Sequence, residues 1–297
     1  MRKLTKKVIV SALLVLAGTV LPLFAQSSSG VVSIEILKRD DISPGEVVIL
    51  EIVTLPDVLA ITGNCFDREI FFWKADSSRF RGLIGLDRDA PSGSHLVHLT
   101  LESIDGRSTE VIEELVVEDR KFGLITLRIP RRAQAFTKEE IERIQHEKAE
   151  TDSILSFSHP ERLWTSSFEP PLDRLTITGD FGLARIINGR KRSSHGGLDL
   201  RGKSGTPVAA SNDGVVVFCG EHFYSGRSVY IDHGLGVFSM YFHLSSILVK
   251  SGEKVSKDQV IGKVGSTGRS TAPHLHWAFI VNRARIDPIS MISLPVE

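Results

Sequence analysis

Four short signals fall in a fixed order between Ser194 and His276: His195-Gly196-Gly197-Leu198-Asp199, then His233, then Tyr241-Phe242-His243-Leu244, and finally His274-Leu275-His276. They limit what this chain can fold into more tightly than its composition does, because three His and one Asp stand where they could ligate a metal. Side chains on an extended strand alternate with period two, so His274 and His276 share a face and can reach a common point. His195 and Asp199 are four apart with two Gly between them, in a segment too Gly-rich for a stable helix. A turn there folds both side chains inward. A strand over Val237 to His243 places Val237, Ser239, Tyr241 and His243 on one face and Phe238, Met240 and Phe242 on the other. His243 then forms a polar tip on a half-buried strand.

Imidazole and carboxylate ligands favour zinc, and a catalytic zinc site keeps three protein ligands and one open position. The sequence offers more candidates than a metal needs. A structural site would use four protein ligands, whereas hydrolysis needs non-ligating bases beside the bound water.

His-x-Gly-Leu-Asp, Tyr-x-His-Leu and Pro-His-Leu-His, in that order and spacing, resemble the lysostaphin-type (LytM-like, M23) zinc metallopeptidases that cut peptide cross-links in bacterial cell walls. The likeness runs from about Leu175 to Pro288. It takes in Thr206-Pro207-Val208, Asp232-His233-Gly234, Val249-Lys250-Ser251-Gly252 and Gly265-Ser266-Thr267-Gly268. The resemblance implies Zn2+ as cofactor, zinc ligands His195, Asp199 and His276, and His243 and His274 as a non-ligating catalytic pair. It also implies a peptidoglycan peptide as substrate. One departure is Ala272, where many relatives carry Gly; it lies outside the chemical groups.

The chain of 297 residues is long enough for two domains with separate cores. Arg2, Lys3, Lys6 and Lys7 precede an apolar run from Val8 to Leu21, the pattern of a secretory signal ending near Ala25. That run is short of the roughly 20 apolar residues a membrane span needs, so no stable span is expected once residues 1–25 are removed. The expected location is the periplasm or cell envelope, with a retained N-terminal anchor as the alternative to a cleaved signal. Without those residues the formal balance is 32 positive against 36 negative side chains, four Lys and Arg fewer than the full chain's 36. A mildly acidic protein lacks the basic stripe of a nucleic-acid binder. Cys65 and Cys219 fall in different expected domains, so no disulfide joins them.

The pattern is mostly β. Runs at Val31 to Leu37, Glu46 to Thr54, Glu69 to Trp73, Phe80 to Leu86, His95 to Ser103, Glu110 to Val117 and Lys121 to Ile129 predict an immunoglobulin-like sandwich over 30–130. Its turns are expected at Ser43-Pro44-Gly45, Thr62-Gly63-Asn64, Pro91-Ser92-Gly93 and Asp105-Gly106. His95 and His98 lie three apart on a strand, on opposite faces, and form no site. This domain could engage a protein partner. Thr137-Lys138-Glu139-Glu140 is a capping box, so a connecting helix is expected from Lys138 to about Asp152, with Ile141 and Ile144 as a narrow apolar stripe. His146 and Glu147 lack the second His of a helical zinc motif. Residues 131–171 read as helix plus linker, and 172–290 as an antiparallel peptidase domain of strands and Gly-rich turns. Within it, Gly205-Thr206-Pro207 opens a strand pair turning near Ser211-Asn212-Asp213-Gly214.

His233 begins a turn and is expected to bond backbone rather than metal. His222, beside Phe223 and Tyr224, has no assigned role. Gly262 to Thr271 lacks the Gly-Lys-Ser/Thr of a phosphate loop, and no Gly-x-Ser-x-Gly elbow serves a serine nucleophile. Two other functions compete with the enzyme. A catalytically inactive regulator of cell-wall hydrolases would lack part of the five-residue set, which is complete here. A lipoyl- or biotinyl-type carrier would need a lysine at the Ser211-Asn212-Asp213 tip, and none is there.

Overall fold

The structure is a computed structural model that describes residues 30–37, 42–127 and 136–295. The signal expected over 1–25 lies outside them, as does Pro130. The protein is mostly β, and antiparallel pairing dominates. It divides into two compact units. The first takes in described residues 30–37, 48–84 and 94–116; the second takes in 42–47, 85–93 and everything described from 117 onward.

In the first unit β1 (Val31–Leu37), β2 (Val47–Thr54), β6 (Arg79–Gly85) and β5 (Phe72–Lys74) form one four-stranded sheet. A second has the order β4 (Arg68–Ile70), β3 (Val58–Cys65), β7 (Gly93–Ser103) and β8 (Ser108–Val117). Period-two burial is plain on β7, where Val97, Leu99 and Leu101 face inward and Leu96 and His98 face out. His95 is half-buried against the Phe66 ring, 4.6 Å between centroids.

Two expectations need correction in this unit. Thr62-Gly63-Asn64 is no turn but the middle of β3; the reversal comes at Phe66 and Asp67, whose φ values of 54° and 56° suit a tight hairpin. The run Glu69 to Trp73 is broken at Phe71, because β4 and β5 belong to different sheets.

The second unit is built on a ten-stranded sheet. Its main path is β10 (Ile177–Gly179), β13 (Leu198–Arg201), β20 (His274–Val281), β17 (Val237–Ile247), β16 (Gly226–Asp232), β15 (Gly214–His222) and β18 (Lys254–Val255). The remaining strands, β14 (Pro207–Ala209), β19 (Val260–Val264) and β21 (Ala284–Ile286), attach beside this path. β14 does not pair with the strand that follows it, as the sequence suggested, but with β19. A smaller sheet joins β9 (Leu124–Leu127), β11 (Ala184–Ile187) and β12 (Arg190–Ser194). β9 runs parallel to β11, so the run expected to close the first domain is knitted into the second unit. A final short helix, α2 (Pro288–Ile292), escaped the sequence reading although Asp287-Pro288 is a capping signature, with Asp287 Oδ1 accepting from Ile289 N at 3.1 Å.

Helix α1 (Lys138–Ile154) starts at the expected capping box, with both reciprocal hydrogen bonds formed between Thr137 and Glu140. Its Ile141 and Ile144 stripe does not seat it, since no residue of α1 is buried. Carboxylates do: Glu147 accepts from Phe223 N at 2.7 Å, and Glu150 meets His222 Nε2 at 3.0 Å.

The stretch 153–171, expected to be a linker, is irregular but belongs to the core. Trp164 and Phe168 are fully buried, their rings 5.7 Å apart, and Phe168 lies 5.5 Å from Phe279 and 5.0 Å from His233. Burial therefore continues across a segment with no periodicity to announce it. Replacing Trp164 by Ala is expected to cost about 3–5 kcal/mol, the usual range for emptying a large aromatic site, measured as a lower urea midpoint for unfolding.

Candidate metal and catalytic centre

The site is assembled on β13, β20 and β17. β13 and β20 are antiparallel with Asp199 directly opposite His276 and Arg201 opposite His274, and β17 places Phe242 opposite His276. His195 sits in the short link before β13, tied back by His195 N to Leu183 O at 3.0 Å and Gly182 N to His195 O at 2.8 Å. Gly197 in that link cannot carry a side chain: a Cβ would lie 2.4 Å from Trp277 O and 2.8 Å from His276 Nε2.

His195 Nε2, Asp199 Oδ1 and His276 Nδ1 form a triangle with each side 2.9 Å. They are the group of described residues able to hold a metal ion between them. Asp180 O accepts from His195 Nδ1–H at 2.7 Å, so in neutral His195 the lone pair is on Nε2. That lone pair faces a carboxylate oxygen, acceptor against acceptor. A cation held by all three atoms resolves the conflict, and two imidazoles with one carboxylate suit zinc. The residues therefore fit the metal.

Burial alone would raise the Asp199 pKa, but the three imidazoles around it, His195, His274 and His276, outweigh that and hold the carboxylate ionised far below its usual range. Burial pushes His276 down from 6.5 to about 4, which keeps its ring neutral and able to ligate.

The other two imidazoles stand beside this triangle. His274 Nε2 is 3.5 Å from Asp199 Oδ1, its Nδ1–H donates to Ala272 O at 2.8 Å, and its side chain is 20% exposed. The His243 ring lies 4.8 Å from that of His274 and 6.3 Å from that of His276. His243 Nδ1–H donates to Thr267 O at 2.9 Å, leaving Nε2 as its basic nitrogen. Burial chiefly, and the neighbouring His274, lower the His243 pKa, against the opposing pull of the Thr267 carbonyl.

His243 reaches the site by a route the alternation rule does not give. It has φ 62°, and the pairing of β17 with β16 slips between Tyr241 and Leu244, a β-bulge. Phe242 and His243 consequently both lie near the His276 ring, Phe242 stacked on it at 5.1 Å with planes 9° apart and His243 at 6.3 Å with planes 72° apart. Tyr241 instead joins a buried polar chain through Ser239 and Ser211. β17 is buried along both faces, not half-buried.

His233 stays away from the triangle. Its Nδ1 bonds Asp213 O at 2.6 Å and its Nε2 bonds Ser239 Oγ at 2.7 Å, both in the sheet interior. Complete burial lowers its pKa from 6.5 to about 4. The folded-state value is the depressed one, so the stability His233 contributes is complete above pH 6.5 and falls as the pH drops toward 4. The unfolded chain then binds a proton that the folded chain refuses. By pH 5 this loss reaches about 2 kcal/mol, and His233→Gln is expected to flatten that part of the pH–stability curve in urea titrations. His222 is buried against Glu150 and the Phe218 ring, and His146 is exposed on α1. The sequence reading did not register Asp180 and gave Thr267, within Gly265-Ser266-Thr267-Gly268, no role of its own; both act through backbone carbonyls.

Comparison with known proteins places this site in a recognised domain. Residues 193–288 match the sequence model of Peptidase family M23. Over 113 residues the chain is 47% identical to peptidoglycan DD-endopeptidase ShyA of Vibrio cholerae, a match covering 37% of this chain and 26% of that protein. It is 46% identical over 101 residues to DD-carboxypeptidase/endopeptidase Mpg of Neisseria meningitidis, covering 34% and 23%. The match thus spans about a quarter of the length of these curated relatives. A Pseudomonas aeruginosa crystal structure, described provisionally as a peptidase M23, superposes with a TM-score of 0.67 at 27% identity, covering 86% of this chain and 96% of that one.

Proposed function

Because residues 193–288 form an M23 peptidase domain, we propose that the protein is a zinc-dependent endopeptidase that hydrolyses peptide cross-links of bacterial peptidoglycan in the cell envelope. The observation that carries this reading is the acceptor-to-acceptor approach of His195 Nε2 and Asp199 Oδ1, completed by His276, beside two imidazoles whose Nδ1–H groups are already bound to carbonyls.

His195, Asp199 and His276 would hold zinc. When bound there, zinc polarises a carbonyl and lowers the pKa of its water to about 7. His243, buried and neutral, accepts the proton of the attacking water at Nε2. His243 would then pass that proton to the leaving amine, while His274, the more exposed imidazole, would carry protons on both nitrogens and donate from Nε2 to the developing oxyanion. Phe242 closes one side of His276 and keeps solvent from that ring.

The relatives' names make the D,D cross-link between stem peptides the first substrate to offer. Incubating zinc-loaded protein with defined cross-linked muropeptides, and weighing the products by mass spectrometry, is expected to show loss of the dimer and gain of the monomers. Intact dimers with stoichiometric zinc bound would overturn the reading.

A further inference from the structure

Three backbone segments meet behind His243, and Thr267 touches all of them. Its Oγ1 accepts from Arg227 N at 2.9 Å and donates to Leu244 O at 2.9 Å, while its carbonyl accepts from His243 Nδ1–H at 2.9 Å. The segments are packed backbone against backbone: His243 N donates to Ser225 O at 2.8 Å, and Arg269 N to Tyr224 O at 2.9 Å. At Gly226, with φ 63°, a Cβ would lie 2.3 Å from the carbonyl carbon of Thr267. His243 itself holds a left-handed backbone conformation, which a non-glycine residue keeps only where its surroundings impose it.

We infer that Thr267 is a positioning residue for His243. Its hydroxyl, bound at both ends to main chain, fixes the direction of its own carbonyl, and that carbonyl selects the Nδ1–H tautomer of His243. The lone pair is thereby assigned to Nε2. A neutral imidazole has two tautomers, and only the one with a bare Nε2 suits a base that approaches by that nitrogen. The arrangement differs from the holding of His195 by Asp180, because here the carbonyl's aim depends on a side-chain hydroxyl that substitution can remove.

The inference rests on the peptidase reading for its kinetic consequence but not for its geometry, so two readouts are used. In zinc-loaded full-length protein carrying 15N-histidine, long-range 1H–15N spectra are expected to show His243 as the Nδ1–H tautomer. Thr267→Ser, which keeps the hydroxyl, is expected to preserve that pattern. The near-isosteric Thr267→Val is expected to lose it. In parallel, Thr267→Val is expected to lower kcat on cross-linked muropeptides by about 10–100-fold, the usual effect of removing an outer partner of a site residue, with KM and zinc content unchanged. Thr267→Ser should restore kcat close to that of the natural protein. An Nε2–H tautomer in the natural protein would overturn the inference even if Thr267→Val did not fold. So would a valine variant with unaltered tautomer and kcat. If the natural protein binds zinc and cuts no muropeptide, the function fails, while the tautomer comparison still decides the role of Thr267.

Discussion

Replacing His243 by Ala is expected to abolish most cross-link cleavage while leaving zinc in place. His243 lies outside the triangle of His195, Asp199 and His276, and its own bonds run to Thr267 O and Ser225 O. Removing it therefore takes away a proton acceptor but no ligand. Loss of a general acid-base group typically lowers the rate by about 10²–10⁴-fold, and His274, its Nδ1–H bound to Ala272 O, would already be engaged as the donor to the oxyanion. The fold should persist: Ala at φ 62° meets the same backbone cost that His already bears. Zinc analysis and kcat on muropeptides check the prediction together. Full activity in the variant would remove His243 from the mechanism, and loss of zinc would make it a ligand.

The second large effect is expected at Asp199. Asp199→Asn keeps the size of the side chain and removes the charge that brings a cation into the triangle, so zinc content and hydrolysis should both fall to background. Binding to the folded state alone stabilises it by about 2.7 kcal/mol when zinc stands at 100 times its dissociation constant. The variant should lose that increment, and its melting temperature should no longer respond to added zinc or to chelator. The sign of a further comparison is diagnostic. Without metal at pH 8, the Asn amide can donate to the His195 Nε2 lone pair, which in the natural protein faces a carboxylate oxygen at 2.9 Å. Metal-free Asp199→Asn should thus be at least as stable as the metal-free natural protein. A markedly less stable variant would mean that the Asp199 carboxylate is held by protonated histidine and does not face a lone pair.

Much of this centre was legible before any coordinates. His274 and His276 share a face because two-residue spacing on a strand requires it, and the register of β13 against β20 brings Asp199 beside them. The Gly pair between His195 and Asp199 announced a turn; the structure has a short irregular link with a bend at Gly197 between β12 and β13. His243 was paired with His274 through the resemblance alone; its ring lies 4.8 Å from that of His274, on a strand whose alternation the bulge breaks. The Thr137 capping box gave the start of α1 to the residue, since capping is local chemistry. The apolar stripe of Ile141 and Ile144 did not say how the helix docks, which is decided by Glu147 and Glu150 meeting Phe223 N and His222.

Signals short in range, such as a two-residue period, a cap or a Gly pair, depend on a few neighbouring residues, and there the sequence alone determined the local elements that carry His195, Asp199 and His276 and the chemistry of those side chains. Burial of Trp164 and Phe168 in an aperiodic segment, the pairing of β9 with β11, and the turn of the His243 ring toward His274 depend on residues far away in the chain. Only the tertiary structure decided these, because close packing and long-range hydrogen bonds can impose a left-handed histidine or a buried linker that local preference would refuse.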